Sequence, residues 1–397
     1  MGGCCPIINR FATYFSESEH MHPNFYLSKE LISFDNWHRA DYFTKTVFGW
    51  LLDLPLGHAF GIFGLEWSGT ESLTESIPKN YDTYVITPGT EYVDWHWIRQ
   101  FCDRVPDSQV IVVCPYYTVL DQIPNLKLIT FDVWPYNLKF CLDKISYLPV
   151  NLLTNIAGPV NLVNRKYKIS SLANRINQFR TYVCAHLYRT WNPEEYIISW
   201  RKRLAKQEDL YLLDPTGHHR IDDVIQFIKN EFWELDIGLT DDFVNAPINV
   251  LDYNWSAYTE CIINCSNESV NNSYQFINDI GHILPGPYLT EKTYKVLLSG
   301  TALLPVGQYQ TYSHLESQGF VFDYPWDKSY DQISGDIDRV AKILDCIDDI
   351  KKISLKDLEE LTLHSRRFNR EYIFSGDYFQ YINRINYQNI EKFAETL

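Results

Sequence analysis

The residue types best suited to chemistry lie together in Thr290-Glu291-Lys292-Thr293-Tyr294-Lys295, preceded by Pro287, Tyr288 and Leu289. Tyr294, Leu297 and Leu298 recur at helical spacing and Gly300 stands where a C-terminal cap belongs, so the spacing predicts a helix opening at Glu291 with Thr290 as its N-cap. The first turn of such a helix offers backbone N–H groups and the positive end of the helix dipole. With Lys292 and Lys295 added, the segment is suited to hold a phosphate. Glu291 can accept hydrogen bonds from the vicinal hydroxyls of a sugar or ribose. The same residues also make an ordinary helix start, in which Thr290 and Glu291 only cap and the lysines are solvated, and the spacing alone leaves both readings open.

A second group lies in Pro88-Gly89-Thr90-Glu91-Tyr92-Val93-Asp94-Trp95-His96-Trp97, just after a strand-like run, where parallel sheets hold their ligands. Glu91, with Asp94 as the second choice, is the candidate base to take a proton from a hydroxyl, and His96 is a further candidate. The plain alternative is that Glu91 and Asp94 favour a helix N-terminus while His96 sits on a packed aromatic face. His218-His219-Arg220 follows the turn signal Asp214-Pro215-Thr216-Gly217 and reads as a solvated loop with at most a phosphate-side role, since a His/His metal site would need a third ligand. The chain contains no GxGxxG fingerprint, no GxxxxGK[ST] loop and no GxSxG elbow, which puts dinucleotide oxidoreductase, kinase and hydrolase readings at a disadvantage.

Alternating elements must position these residues. The first 80 residues read as helices and loops rather than a regular sheet. Tyr81 to Pro88 reads as a strand, Val93 to Arg104 as a helix, Gln109 to Cys114 as a strand buried on both faces, and Leu126 to Phe131 as one more. Pro, Gly and Asn enrich Leu148 to Val163, the expected linker. A second series follows: strand Lys168 to Ala173, helix Gln178 to Tyr188, strand Glu195 to Trp200, helix Ile221 to Glu234, strand Ala257 to Asn264, the helix from Glu291, and strand Ala302 to Val306. From Ile337 to Leu397 the pattern is helical. Strand, helix and strand in succession argue for parallel α/β sheets, and 397 residues exceed what one core usually holds.

Composition sets further bounds. With 45% hydrophobic and 21% charged residues the chain is globular, and its many aromatic residues must serve packing before ligands. Two Met beside abundant Asn and Ile suggest the codon bias of an AT-rich or viral genome. A net charge of -15 lacks the footprint of a nucleic-acid binder, yet Arg165 to Lys206 holds ten Lys/Arg against two acids, an anion-attracting region in an acidic protein. Nine cysteines, odd in number and without CxxC spacing, read as free thiols in a reducing cytoplasm. Asn254, Asn264, Asn267 and Asn271 stand in N-x-S sequons that mean little without a signal peptide. Pro6 stands where N-myristoylation wants Ser or Thr, and the apolar Val47 to Trp67 holds Asp53, Pro55 and His58, so no integral membrane segment is expected.

The stretch from Tyr288 through Gly307, an aromatic-x-T-E-K helix followed by glycine and Pro305-Val306-x-Gly, resembles the signature of the α-1,3-fucosyltransferase family and of related viral and bacterial glycosyltransferases. Tyr167 to Arg180 is similar to the strand that opens the donor domain of such enzymes, with an Asn/Arg-rich turn through Arg175. Arg180 matches the arginine that reaches the donor diphosphate, although Gln178 and Phe179 replace the usual Pro and His. Tyr258-Thr259-Glu260 and Ser266 to Ser273 also fit the related viral enzymes. The resemblance covers about residues 165 to 325.

What the resemblance implies is an α/β fold of GT-B type, two Rossmann-like domains facing a cleft with helices at the C-terminus. The expected parts are an acceptor-side domain over 1–155, a donor domain over 165–340 and helices over 341–397 that pack back on both. It further implies a glycosyltransferase, inverting, without metal or other cofactor, that takes a nucleoside-diphosphate sugar as donor; the free cysteines place the expected enzyme in the cytoplasm, of the host if the gene is viral. The sugar is hexose-, fucose- or pentose-like. Arg180, Thr290, Glu291, Lys292 and Lys295 would bind that donor, with Arg175 and Tyr288 as secondary candidates. The acceptor hydroxyl belongs to a glycan or to a hydroxymethylated base in viral DNA. The competing expectation is a glycan- or nucleotide-binding protein of the same fold without catalysis.

Overall fold

The computed structural model describes residues 25–27, 59–63, 79–87, 95–114, 123–130, 135, 138, 161–173, 177–201, 213–237, 255–267, 287 and 289–396. The chain divides into two compact units: Met1–Phe140 with Gln275–Pro285 and Phe379–Leu397, and Cys141–Tyr274 with Gly286–Tyr378. Each contains a five-stranded sheet, so the protein is mixed α/β.

In the first unit the strands β1 (Phe25–Leu27), β2 (Ala59–Phe63), β3 (Thr83–Thr87), β4 (Gln109–Cys114) and β5 (Leu126–Thr130) pair in sequential order, all parallel. β1 and β2 correct the expectation that the first 80 residues hold no regular sheet. They are short runs of three and five residues set among Gly, Pro and polar residues, and they become strands by pairing, β1 with β2 and β2 with β3, rather than through a strong local pattern. The aliphatic run Val110–Val113 is fully buried, as a strand covered on both faces must be. Helix α1 (Trp95–Arg104) lies within the expected span from Val93 to Arg104, and Val93 and Asp94 lie outside the described residues. Its Trp97 and Phe101 rings stack at 5.4 Å, and Phe101 meets Tyr84 edge-on. Asn125 Nδ2 donates to the Cys102, Val105 and Ser108 carbonyls, tying the end of α1 to the turn that leads into β4.

In the second unit the order is β10 (Ala302–Val306), β9 (Cys261–Asn267), β6 (Tyr167–Ala173), β7 (Tyr196–Arg201), β8 (Asp236–Ile237), with only β8 antiparallel. Numbered from β6, this is 5-4-1-2-3, the doubly wound order. Helix α2 (Gln178–Thr190) links β6 to β7, followed by α3 (His219–Phe227) and a π-helical turn at Ile228–Phe232. The expected strand over Ala257 to Asn264 is corrected to a short helix α4 (Trp255–Thr259) followed by β9, because the β-favouring run starts only at Cys261. Helix α5 (Glu291–Leu298) leads into β10, and helices α6 (Thr311–Ser317), α7 (Asp336–Lys352) and α8 (Leu355–Phe374) follow; α9 (Asp377–Ala394) belongs from Phe379 on to the first unit. Among the described residues no helix is long and apolar enough to cross a membrane.

Two helices flank the centre of this sheet from opposite faces. Ser171 Oγ on β6 lies 3.4 Å from Cys184 Sγ on α2, which places α2 on one face. Ser266 Oγ on β9 lies 3.2 Å from Thr293 Oγ1 on α5, which places α5 on the other. Successive residues of a strand point to opposite faces, and Ser171 pairs in register with Cys265, so Ser266 and Ser171 face apart.

Candidate functional site

The strand order reverses direction at the β6–β9 pair: the chain runs outward from β6 through β7 and β8, then returns to the far side of β6 with β9. In open α/β sheets the crevice outside the carboxyl ends of the strands at such a point is where ligands bind. The carboxyl end of β9 is Asn267, and the helices on the two faces, α2 and α5, begin near it.

Arg180 lies in the first turn of α2. Asn177 caps that helix, its Oδ1 accepting the Arg180 N–H at 3.0 Å, which fixes where the guanidinium starts. Only 4% exposed, the side chain donates Nε and one terminal nitrogen to the Asn267 carbonyl at 3.1 and 2.6 Å. The start of α2 is thereby fastened to the end of β9. Phe179, beside it, carries the Arg339 guanidinium over its ring at 5.6 Å, and Arg339 in turn donates to the Gly307, Ile333 and Ser334 carbonyls.

Thr290 is the N-cap of α5, with its side chain accepting from the Lys292 N–H. The Lys292 ammonium folds back to the same Oγ1 at 3.2 Å. Thr293, one turn in, is tied to Ser266. The two helix starts are thus anchored, from opposite faces, to the consecutive residues Ser266 and Asn267 of one strand. Lys295 is buried rather than solvated, contrary to the bland expectation for that lysine. Glu291 opens the helix.

Asn267 is the residue that sequence reasoning missed. Its Nδ2 donates to Ser171 Oγ at 2.9 Å and to the Leu172 carbonyl at 3.2 Å, across the β6–β9 gap. Its Oδ1 is buried and finds no hydrogen-bond partner among the described residues. A buried acceptor without a donor costs about 1–3 kcal/mol, so this oxygen can accept from a ligand that reaches it. The signal was the first polar residue pair after the Cys261-Ile262-Ile263 run, obscured because the strand was expected to end at Asn264.

The interior below is polar and inert. Asn264 Nδ2 donates to Ser170 Oγ at 2.7 Å, and Ser170 donates to the Ala257 carbonyl. Burial pushes the Cys184 thiol up to about 12, and the Cys265 thiol also well above its ordinary value, so neither is a thiolate nucleophile. Asn264 and Asn267 both being buried in β9, neither sequon can accept a glycan in the folded chain.

Part of the basic segment turns inward. Arg165, Lys168 and Arg180 are buried and bonded within the unit, while Arg189 pairs with Asp223 at 2.7 Å. Arg220 of the His218-His219-Arg220 cluster is likewise engaged, pairing with Asp345 and Asp348, and the latter also holds His186 at 2.8 Å. Burial works to raise the Asp348 carboxyl, but His186 and Arg220 outweigh it and hold the carboxyl below its ordinary value. Glu91, Asp94, Arg175 and Tyr288 lie outside the described residues, as does the His96 side chain, although its backbone belongs to α1. Comparison with protein-family models, curated proteins and solved structures gives no match for the chain.

Proposed function

We propose that the chain is a glycosyltransferase of GT-B type whose donor nucleotide-sugar binds at the β6–β9 switch point of the second unit. The observation that carries this reading is the convergence of two capped helix starts, Arg180 and the unsatisfied Asn267 Oδ1 at the end of one strand. A nucleoside diphosphate needs that combination: cationic and helix-end donors for the phosphates, and acceptors for hydroxyls.

In the proposed reaction an acceptor hydroxyl loses its proton to a carboxylate, with Glu91 the first candidate and Asp94 the second. Its oxygen forms a bond to the anomeric carbon as the bond to the diphosphate oxygen breaks on the opposite side, inverting the centre. Negative charge grows on the departing diphosphate. Arg180, Lys292 and the amides at the start of α5 stabilise that charge and do so without a metal ion. A glycan hydroxyl is the favoured acceptor over a base in DNA, because Arg165, Lys168 and Arg180 point inward and add nothing to an exposed basic face.

Calorimetric titration of the full chain with a panel of UDP-, GDP- and other nucleotide-sugars, followed by assay of sugar release, tests the reading. Binding of one nucleotide with slow hydrolysis of its sugar supports it. Binding without turnover in the presence of acceptor glycans leaves a nucleotide-binding protein instead, and no binding across the panel refutes the donor site.

A further inference from the structure

Three arginines meet at the far end of helix α5, opposite the end that bears Thr290 and Lys292. Arg165 donates one terminal nitrogen to the Tyr258 and Cys261 carbonyls at 2.7 and 3.4 Å, and the other to Ser299 and Gly300 at 3.1 and 3.3 Å. Arg366 on α8 donates to the Gly300 carbonyl at 3.5 Å and to Leu162 and Glu359 at 2.9 and 3.3 Å. Arg370, one turn on, donates to the Leu298 carbonyl. Burial lowers all three guanidinium values to about 10, and at Arg165 the neighbouring Arg366 charge lowers it further. They remain cations at neutral pH. The carboxylate acting on this group is Glu359, whose Oε1 accepts the Arg165 N–H at 2.8 Å.

Among the described residues three clustered guanidinium groups stand against one carboxylate, Glu359, although the Leu298, Ser299 and Gly300 carbonyls they bond could be served by neutral donors. The preceding carbonyls need no side-chain cation: Thr301 N donates to Val296 O and Gly300 N to Leu297 O in a Schellman turn. What neutral groups cannot do is cancel the negative end of the helix dipole. Uncancelled, that half-charge opposes the positive half-charge at the start of a helix only eight residues long.

We infer that Arg165, Arg366 and Arg370 are positioning residues for anion binding: they neutralise the carboxyl end of α5 so that its amino end holds a diphosphate more strongly. The inference rests on the donor-site reading above. Eight residues span about 12 Å, and Coulomb's law at about 15 Å and an effective dielectric of about 20 makes one such charge worth a few tens-fold in affinity for a dianion. Ionic screening at about 0.01–0.05 M salt brings this to about three- to tenfold.

The test is titration of the full chain with inorganic pyrophosphate at low and high salt, alongside thermal unfolding. Arg370→Gln keeps a donor for the Leu298 carbonyl and removes the charge; affinity is expected to fall about three- to tenfold, less at high salt, while Arg370→Lys retains most of it. Glu359→Gln keeps an acceptor for the Arg165 N–H and removes the opposing charge, so affinity is expected to rise by a similar factor. A purely structural cluster would not produce that opposite sign. Equal affinity in folded Arg370→Gln and Glu359→Gln proteins overturns the inference while leaving the donor site standing. Should Arg370→Gln fail to fold, Glu359→Gln decides alone. No pyrophosphate binding by the unaltered chain refutes the site itself.

Discussion

Replacing Arg180 by Met separates a structural strap from a ligand contact. Met fills much of the space of the arginine stem and removes the guanidinium, which leaves the Asn267 carbonyl without its two bonds at 3.1 and 2.6 Å. Losing a charge-assisted bond to a buried carbonyl costs about 1.5–3 kcal/mol, but burying a methionine instead of a guanidinium that is 4% exposed returns part of it. The net loss is about 1–2 kcal/mol, or a Tm lowered by about 2–8 °C at the 2–4 °C per kcal/mol of a domain this size. Affinity responds differently. Removing one partner of a desolvated charge pair costs about 2–4 kcal/mol, which is about thirty- to a thousandfold in Kd. Arg180→Lys should fall between, because an ammonium keeps the charge and loses the fork. Nucleotide titration and differential scanning calorimetry on the same preparations give both quantities. A folded Arg180→Met protein with a lowered Tm and unchanged nucleotide affinity would show that the guanidinium only fastens α2 to β9, and the chemical role assigned to it would be wrong.

Glu291→Ala and Lys292→Ala should each reduce sugar transfer at least a hundredfold while shifting stability by no more than about 1 kcal/mol, the scale of a first-turn helix contribution; full turnover in both would leave Thr290–Lys292 as a cap alone. Asp348→Asn should lower stability by about 1 kcal/mol at pH 7, a figure discounted for the partial exposure of the pair with His186 and Arg220. Because the folded carboxyl is held below its ordinary value, its contribution is fully present above about pH 4 and is lost as pH falls through the folded value. Urea midpoints of the two proteins should therefore converge in acid, and a gap that widens there would contradict the pairing. Gly300→Ala should cost about 1–2 kcal/mol by urea denaturation. Gly300 sits at φ +61 and an added Cβ would meet Leu162 Cδ2, so an unchanged midpoint would mean that position 300 has no need of glycine.

Where the pattern is local, sequence and structure agree closely. The β-branched run Gln109–Cys114 has the strand bounds its composition indicates, Ala302–Val306 likewise, and Thr290 and Gly300 bracket α5 as cap and αL residue. Each depends on backbone preference within a few residues, which a single sequence carries. Where partners are distant, reading fails. Ala59–Phe63 is only five residues long with Gly61 at its centre and becomes a strand by pairing with Thr83–Thr87, while Trp255–Thr259 coils into a helix before a strand that extends to Asn267. The basic stretch that looked like one anion-attracting surface is divided, because Arg165 and Arg180 are drawn inward by carbonyls 93 and 87 residues away in the chain.

Sequence by itself determined the alternation of strands and helices, the cap at Thr290 and the residue types able to meet an anion; the T-E-K resemblance supplied the expectation of a nucleotide-sugar donor, which the titrations proposed above test. Only the tertiary structure decided that β9 lies beside β6, that α2 and α5 start from opposite faces at Ser266 and Asn267, and that three arginines close the other end of α5. The physical reason is range. Caps and periodicity act within one helical turn, whereas strand order and the fate of a buried charge depend on which remote backbone groups are left in need of a partner.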